Sequence, residues 1–216
     1  MTGSPAAAIP RAVAFDWGGV FTRGTFDSSA VRALAGLVGM PVEELEPTYL
    51  DLMVDFEAGR HDLPGFHRRF SEATDTATQL DVFRRTFLGA VRERPETYAL
   101  VAALPPGVRL GILSNNVAEL CDAVRADPRL ARFEAFLFSN ELGVRKPDPA
   151  AYQALIDALG EEPGATVFVD DNPGNVDAAS RFGLRAVLFD SHFPERFARL
   201  FPGVALPGAF GQPGWR

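Results

Sequence analysis

The stretch Val13-Ala14-Phe15-Asp16-Trp17-Gly18-Gly19 joins a short apolar run to an aspartate and two glycines. An apolar run without alternation is typical of a strand that is buried on both faces of a parallel sheet. Asp16 ends this run, and the glycines after it let the backbone approach a bound anion closely. Taken alone, the stretch also fits an aspartate that caps a turn, so the rest of the chain decides between the two.

Three further stretches have the same form, with polar side chains at or just after the end of an apolar run. They are Leu113-Ser114-Asn115-Asn116, Arg145-Lys146-Pro147-Asp148 and Phe168-Val169-Asp170-Asp171-Asn172. In an open parallel sheet, ligands bind at the carboxyl ends of the strands. We therefore expect the four stretches to meet at one edge of a sheet.

The apolar runs alternate with helical stretches. Five runs are expected as buried strands, at Ala12–Phe15, Val108–Leu113, Ala135–Phe138, Thr166–Val169 and Ala186–Phe189. Helices are expected between the later runs, at Ala118–Ala126, Pro149–Leu159 and Asn175–Phe182. This alternation predicts an α/β fold with a doubly wound parallel sheet, a Rossmann-like core.

The segment from 22 to 103 shows helical periodicity and no convincing strand, which predicts an inserted α-helical cap. Val31, Leu34, Ala35 and Val38 share one helix face. Leu50, Met53 and Val54 recur at helical spacing in a second helix, expected to begin after Pro47, and Leu63-Pro64-Gly65 is expected as a turn. The predicted organisation is a catalytic core at 11–21 and 104–201, a cap at 22–103, and a Gly- and Pro-rich tail at 202–216 that either wraps the surface or is disordered.

Composition narrows the class of protein. The chain has 216 residues, 47% hydrophobic content and a net charge of -7, so one substantial core is expected and nucleic acid is a poor partner. No apolar stretch reaches the ~18 residues that would span a membrane, and residues 1–10 do not resemble a secretion signal. We expect a cytoplasmic protein that acts on a small molecule.

Cys121 is expected to be a buried small hydrophobe, and the oligomeric state cannot be read from the sequence.

The second and third motifs carry groups that suit an anion. Ser114 and Asn115 precede a helix, so a hydroxyl and backbone N–H groups converge on a helix N-terminus, which is compatible with both capping and phosphate binding. Lys146 lies in a loop that prolines stiffen, where its charge would neutralise a nucleophile and phosphoryl oxygens. Arg145 beside it is expected at the surface.

The adjacent acids Asp170 and Asp171 repel each other at a buried strand end unless a cation offsets them. Mg²⁺ is the natural cation because it prefers a few hard oxygen ligands and keeps water for the rest. A helix N-terminus could also stabilise the pair, but Asp16 from the opposite loop favours the metal.

Together these residues resemble the haloacid dehalogenase superfamily, in its helical-cap branch, with similarity to sugar-1-phosphate phosphatases and to the phosphatase domain of epoxide hydrolases. The resemblance spans about 12–189, and the segment from Phe56 to Phe70 also looks like that branch. It implies that Asp16 is the nucleophile and a metal ligand, that Lys146 neutralises charge, and that Ser114 and Asn115 contact phosphate. It further implies that Asp171 binds Mg²⁺ directly with support from Asp170, and that the backbone carbonyl of Gly18 supplies another metal oxygen.

One position departs from the family pattern. Most phosphatases of the family have an acid two residues after the nucleophile, where this chain has Gly18. A sugar anomeric phosphate has a better leaving group and would need less proton donation, so this substrate class is the hypothesis. Stand-in acids could come from Glu57, His61 or Asp62, or these residues are exposed and unrelated. Trp17 either lines the pocket or packs under the cap.

The sequence therefore predicts a magnesium-dependent phosphatase that hydrolyses a small phosphomonoester through an aspartyl-phosphate. Two alternatives stay open. A metal-independent 2-haloacid dehalogenase would also lack the second acid, although its last motif typically loses the acidic pair. A non-catalytic phosphate-binding protein would explain Gly18 through lost turnover.

Overall fold

The computed structural model describes residues 9–24, 26–208 and 210, and its centre is a five-stranded parallel sheet. The strands are β1 (Ala12–Phe15), β2 (Arg109–Ser114), β3 (Ala135–Phe138), β4 (Thr166–Asp170) and β5 (Arg185–Leu188). Their spatial order is β3-β2-β1-β4-β5. The predicted α/β class with a doubly wound parallel sheet is confirmed.

The central strand β1 pairs with β2 on one side and with β4 on the other. Phe15 at its end lies opposite Ile112 and Val169. The chain order reverses at β1, so this is the switch point where open α/β sheets bind ligands. The strands that carry three of the four motifs are therefore neighbours.

The helices before β2 are α1 (Phe26–Val38), α2 (Val42–Glu57), α3 (Leu63–Thr74), α4 (Leu80–Leu88) and α5 (Pro95–Ala103). Those after β2 are α6 (Ala118–Ala126), α7 (Ser139–Leu142), α8 (Pro149–Leu159), α9 (Pro173–Phe182) and α10 (Phe193–Leu200), with 3₁₀ turns at Pro128–Leu130 and Pro163–Ala165. Helices α8 and α9 contact the sheet from one side.

Side chains alternate between the two faces of the sheet, as the pleat requires. Ala12 and Ala14 of β1 belong to the core under α8 and α9, whereas Val13 and Phe15 belong to the larger core on the other face. The small residues on the first face leave room for the helices to approach closely.

Helices α1 to α4, called the cap below, form an aromatic core. Phe56 and Phe66 stack with ring centroids 4.5 Å apart. The other buried rings of this cluster are Tyr49, Phe70, Phe83 and Phe87. On α1, Val31, Leu34 and Ala35 are buried as predicted, and Val38 is half-buried.

Two expectations for the cap are wrong. Helix α2 begins at Val42, not after Pro47, and Pro47 lies inside it. Of the predicted apolar face only Met53 is buried, because Leu50 is 46% and Val54 41% exposed. Burial of Tyr49, Met53 and Phe56 in the aromatic core outweighs the backbone hydrogen bond that the proline removes.

The stretch Leu63-Pro64-Gly65 begins a helix and is not a turn. The Asp62 side chain accepts a hydrogen bond from the Gly65 backbone N–H at 2.8 Å and so caps α3. Proline in the first helical turn is compatible with this start, since its missing N–H would have no partner there.

The ends of the chain are described only in part. Phe210 is buried and lies 5.8 Å from the Phe193 ring, so this part of the tail packs on the core. Trp215 and the leader 1–8 lie outside the described residues. Within the described part of the chain, each helix is too short or too polar to cross a membrane. Cys121 is buried with a free thiol, as expected.

Candidate active site

The carboxyl ends of β1, β2 and β4 surround a cavity of about 140 Å³. All four motifs contribute to its wall, which includes Asp16, Asn115, Lys146 and Asp171. The cap closes it from the other side with Asp27, Met53 and Glu57. The four predicted stretches do therefore meet at one edge of the sheet.

Lys146 joins the first and last motifs. Its Nζ lies 3.1 Å from Asp16 Oδ1 and 2.6 Å from Asp170 Oδ2, and the residue is 2% exposed. Burial acts to lower the pKa of Lys146, but the charges of Asp16 and Asp170 outweigh burial and raise that pKa. The lysine is therefore a permanent positive charge against the end of β1.

Asp170 is completely buried and engaged in hydrogen bonds. Its carboxylate accepts from Lys146, from the Asn172 backbone N–H at 2.8 Å and from Asn175 Nδ2 at 3.1 and 3.2 Å. The Asn175 backbone carbonyl in turn accepts from the Tyr152 hydroxyl at 2.9 Å. Because its oxygens already have these donors, Asp170 is suited to hold the lysine in place.

Asp16, Asp170 and Asp171 form an acidic cluster, with one oxygen from each lying within 4.8 Å of the others. Burial raises the pKa of Asp16 to about 6, although Lys146 acts in the opposite direction. Burial, with the charges of Asp16 and Asp170, raises the pKa of Asp171 to about 7. One lysine does not balance three carboxylates, so the donor set fits a hard divalent cation such as Mg²⁺.

The two glycines after Asp16 differ in their surroundings. Gly19 has φ +72°, and a Cβ there would overlap the Asp171 carboxylate. Its N–H donates to Thr22 Oγ1 at 2.8 Å, which fixes the turn. At Gly18, which lines the cavity, a Cβ would meet no atom within 4 Å. Glycine is thus required at 19, whereas position 18 has room for a side chain.

The second motif binds other parts of the protein. Asn115 exchanges two hydrogen bonds with the Lys146 backbone, donating to its carbonyl at 3.0 Å and accepting from its N–H at 2.8 Å. Ser114 is 2% exposed; its hydroxyl donates to the Asn115 backbone carbonyl at 3.5 Å and acts to lower the pKa of Asp16. Asn115 therefore ties the second motif to the third, and it also lines the cavity.

Trp17 lines the cavity. It is also buried, at 7% exposure, in the hydrophobic core that includes the cap. Both interpretations of this residue are thus compatible. Its backbone N–H donates to Asp16 Oδ1 at 2.7 Å.

Several residues of the cavity wall were not identified from the sequence, among them Asn116, Arg145 and Asp27. Asn116 is 5% exposed, and its Nδ2 has no hydrogen-bond partner while Oδ1 accepts from Val117 N–H. Arg145, expected at the surface, donates to Glu57 Oε2 at 2.6 Å. Asn116 follows two polar motif residues and could have been included, but no local pattern pairs Arg145 with a cap residue 88 positions away.

The three candidate stand-in acids are separated by the fold. Glu57 is 6% exposed and lines the cavity with Asp16. His61 and Asp62 line a different cleft between the cap and α6, and Asp62 is already the cap of α3. Only Glu57, of these three, is directed to the same space as the acidic cluster.

Comparisons with known proteins agree with this architecture. The family model described as haloacid dehalogenase-like hydrolase matches residues 10–183. The phosphatase MT3486 of Mycobacterium tuberculosis is 32% identical over 196 residues, covering 83% of this chain and 87% of that protein.

Two solved structures share the fold. A HAD family enzyme of Bacteroides thetaiotaomicron superposes with a TM-score of 0.73 at 19% identity, covering 90% of this chain and 99% of that one. It has also been solved in complex with magnesium and inorganic phosphate. The L-2-haloacid dehalogenase of Xanthobacter autotrophicus has a TM-score of 0.65 at 20% identity, covering 91% of this chain and 84% of that one.

The family match spans most of the chain and includes all four motifs, which the fold gathers around one acidic cavity. The chain belongs to the haloacid dehalogenase-like hydrolases.

Proposed function

We propose that the protein is a magnesium-dependent phosphatase that hydrolyses a small phosphomonoester through an aspartyl-phosphate on Asp16. One observation carries the proposal. Asp16 lies 3.1 Å from the Lys146 ammonium and within the same cluster as Asp170 and Asp171, at the wall of a cavity. The named function of the 32% identical relative supports phosphate-ester hydrolysis.

The acidic cluster provides the ligands for the metal. Asp16, Asp171 and the Gly18 backbone carbonyl would hold Mg²⁺, and Asp170 would support them by fixing Lys146. When bound, Mg²⁺ neutralises negative charge on the phosphate and orients it for in-line attack. The Bacteroides relative solved with magnesium and phosphate supports this choice of ion.

The chain's own residues account for the nucleophilic step. Lys146 favours the ionised form of Asp16 and orients its carboxylate, and the Ser114 hydroxyl also acts to lower the Asp16 pKa. An Asp16 oxygen forms a bond to phosphorus as the ester P–O bond breaks, and water then hydrolyses the acyl phosphate. The Asn116 Nδ2, which has no partner, is available to donate to the substrate.

A cavity of about 140 Å³ suits a small phosphorylated metabolite, and we retain a sugar phosphate as the proposed class. Asn115 and Trp17 would contact it from the β2 and β1 sides.

Haloacid dehalogenation is the second candidate, because Gly18 lacks the second acid. The retained pair Asp170 and Asp171 argues against it, since carbon–halogen hydrolysis by an aspartate needs no metal site. A non-catalytic phosphate binder is the third candidate.

One set of assays separates the three. The purified protein is incubated with 4-nitrophenyl phosphate, glucose 1-phosphate or 2-chloropropionate, with Mg²⁺ or with a chelator. We expect phosphate release only with Mg²⁺. Halide release in the chelator would identify a dehalogenase, and no turnover with retained phosphate binding would identify a binder.

A further inference from the structure

The departing oxygen of an ordinary phosphate ester is strongly basic, so its release requires a proton. Gly18 has no side chain to donate one. Among the described residues that line the cavity, four carry a carboxyl group: Asp16, Asp171, Asp27 and Glu57. The first two belong to the acidic cluster, which leaves Asp27 and Glu57.

We propose that Glu57 is the general acid that protonates the leaving oxygen, and the general base that later activates water. The inference rests on the proposed phosphatase function. It assigns the missing proton donor to the cap, so the catalytic residues are complete only when cap and core are together.

Glu57 is fixed at the seam between cap and core. It is the last residue of α2 and is 6% exposed. Its backbone carbonyl accepts from Ser139 Oγ at 2.5 Å, and its carboxylate accepts from Arg145 at 2.6 Å. Arg145 immediately precedes Lys146, so one loop positions both the Glu57 carboxylate and the ammonium group that lies beside Asp16.

The environment of Glu57 suits proton exchange near neutral pH. Burial raises its pKa to about 7, and the charges of Asp27 and Asp16 act in the same direction. Arg145 and Lys146 act to lower that pKa. Tyr49 also faces this group, but its hydroxyl hydrogen-bonds Asp27 at 2.9 Å.

Asp27 is the weaker choice for the same role. Its Oδ1 accepts from Tyr49, another cap residue, whereas Glu57 accepts from Arg145 in the motif loop. Burial raises the pKa of Asp27, and Tyr49 and Arg145 act to lower it. The charges of both Asp16 and Lys146 act on Glu57. Glu57 is thus the carboxyl group more closely coupled to the nucleophile.

The two steps balance. In the first, Asp16 bonds to phosphorus, the P–O bond to the leaving group breaks, and the Glu57 proton passes to the leaving oxygen. The alcohol departs neutral and Glu57 is left ionised. In the second, Glu57 takes a proton from the water that attacks phosphorus, the bond to Asp16 breaks, and phosphate leaves.

A series of phosphate esters with increasingly basic leaving groups tests the assignment, with Mg²⁺ present throughout. For Glu57→Gln we expect kcat/KM to fall ~10²–10⁴-fold on alkyl esters such as glycerol phosphate, the usual range for general acid–base catalysis. On 2,4-dinitrophenyl phosphate, whose leaving group needs no proton, the change should be small. The fall in wild-type kcat/KM for alkyl esters above about pH 7 should disappear in the variant.

Asp62→Asn is the matched control, because Asp62 lies nearby in the cap but lines another cleft. Its kcat/KM values over the ester series should equal those of the wild type, since asparagine also caps helices. An equal loss on every ester in Glu57→Gln would make Glu57 structural and overturn the inference. The inference would also be overturned if kcat/KM of Glu57→Gln depended on leaving-group basicity no more steeply than that of the wild type, while Asp27→Asn showed the steeper dependence. If the wild-type protein hydrolyses none of the esters, the proposed function itself fails.

Discussion

At the scale of single residues, the contacts of Lys146 explain why separate motifs act together. The motif residues Asp16, Lys146 and Asp170 could be identified from the sequence because each stands at or after the end of an apolar run. The role of Arg145 could not, because a buried partner on a distant helix decides it. Asn116 could have been included with its motif, although the missing partner of its Nδ2 is a property of the folded cavity.

The pair Gly18 and Gly19 gives a prediction at this scale. Gly19→Ala places a side chain at φ +72° and against the Asp171 carboxylate. The left-handed backbone alone costs about 1–2 kcal/mol, and Asp171 must move. We expect a lower melting temperature and a weaker Mg²⁺ dependence of turnover, measured by thermal unfolding and by magnesium titration.

Gly18→Ala is the matched control for stability, because its Cβ meets no atom within 4 Å. Its free energy of unfolding should be equal to or slightly above that of the wild type. Equal melting temperatures for Gly19→Ala and Gly18→Ala would contradict the close approach of Gly19 to Asp171.

At the scale of elements, local signals predicted the core strands and helices, but they misplaced two helix starts in the cap. Proline suggested a boundary at Pro47 and a turn at Leu63-Pro64-Gly65. In the structure, packing of the aromatic face carries α2 through Pro47, and Asp62 caps α3. The two errors differ in origin. The aromatic core that carries α2 through Pro47 forms only when the helices pack together, whereas Asp62 with Pro64 in the first turn is a local signal for a helix start.

The turn after α2 gives a prediction for how the cap sits on the core. Gly59 has φ +70°, and a Cβ there would overlap the Asn140 carbonyl oxygen of α7. Gly59→Ala should therefore displace the cap from the core. We expect kcat/KM to fall by up to ~10²-fold, because small misplacements of catalytic groups have effects of that size.

Gly39→Ala separates the displacement from the backbone cost. Gly39 has φ +71°, but a Cβ at this position would meet no atom within 4 Å. Both variants should lose about 1–2 kcal/mol of stability from the left-handed backbone, while Gly39→Ala keeps wild-type kinetics. If the two variants have the same kcat/KM, the contact between Gly59 and Asn140 does not position the cap.

At the scale of the whole molecule, alternating strands and helices were enough to predict the parallel sheet and the edge where the motifs meet. In the sheet, β1 occupies the centre between β2 and β4, which carry two of the other motifs. The sequence indicated that the cap lies near this edge, but not which cap residues face the cavity. Contacts such as Glu57 with Arg145 join segments whose local patterns carry no information about each other.

The buried acids predict how stability depends on pH and magnesium. The pKa of Asp16 is raised from 3.8 to about 6 and that of Asp171 to about 7, so the folded state binds these protons more tightly than the unfolded chain. Without metal, protonated Asp16 and Asp171 stabilise the folded state. This stabilisation is complete below pH 3.8 and is lost as the pH rises through about 6 and about 7.

Mg²⁺ needs the ionised carboxylates, so its stabilisation should grow over the same pH range. At a hundred times its dissociation constant, it should reach about 2.7 kcal/mol. Thermal unfolding with and without Mg²⁺ at pH 5 and pH 8 measures this, and Asp171→Asn should reduce the shift. An equal magnesium shift at both pH values would place the metal away from these acids.

The most direct test of the account is to trap the covalent intermediate. The protein is mixed with a phosphate ester and Mg²⁺, quenched in acid during turnover, digested and mapped by mass spectrometry. We predict one phosphoryl group on the peptide that contains Asp16, and neither this adduct nor turnover in Asp16→Asn. Steady turnover with that peptide unmodified, or activity retained in Asp16→Asn, would contradict the nucleophilic role of Asp16.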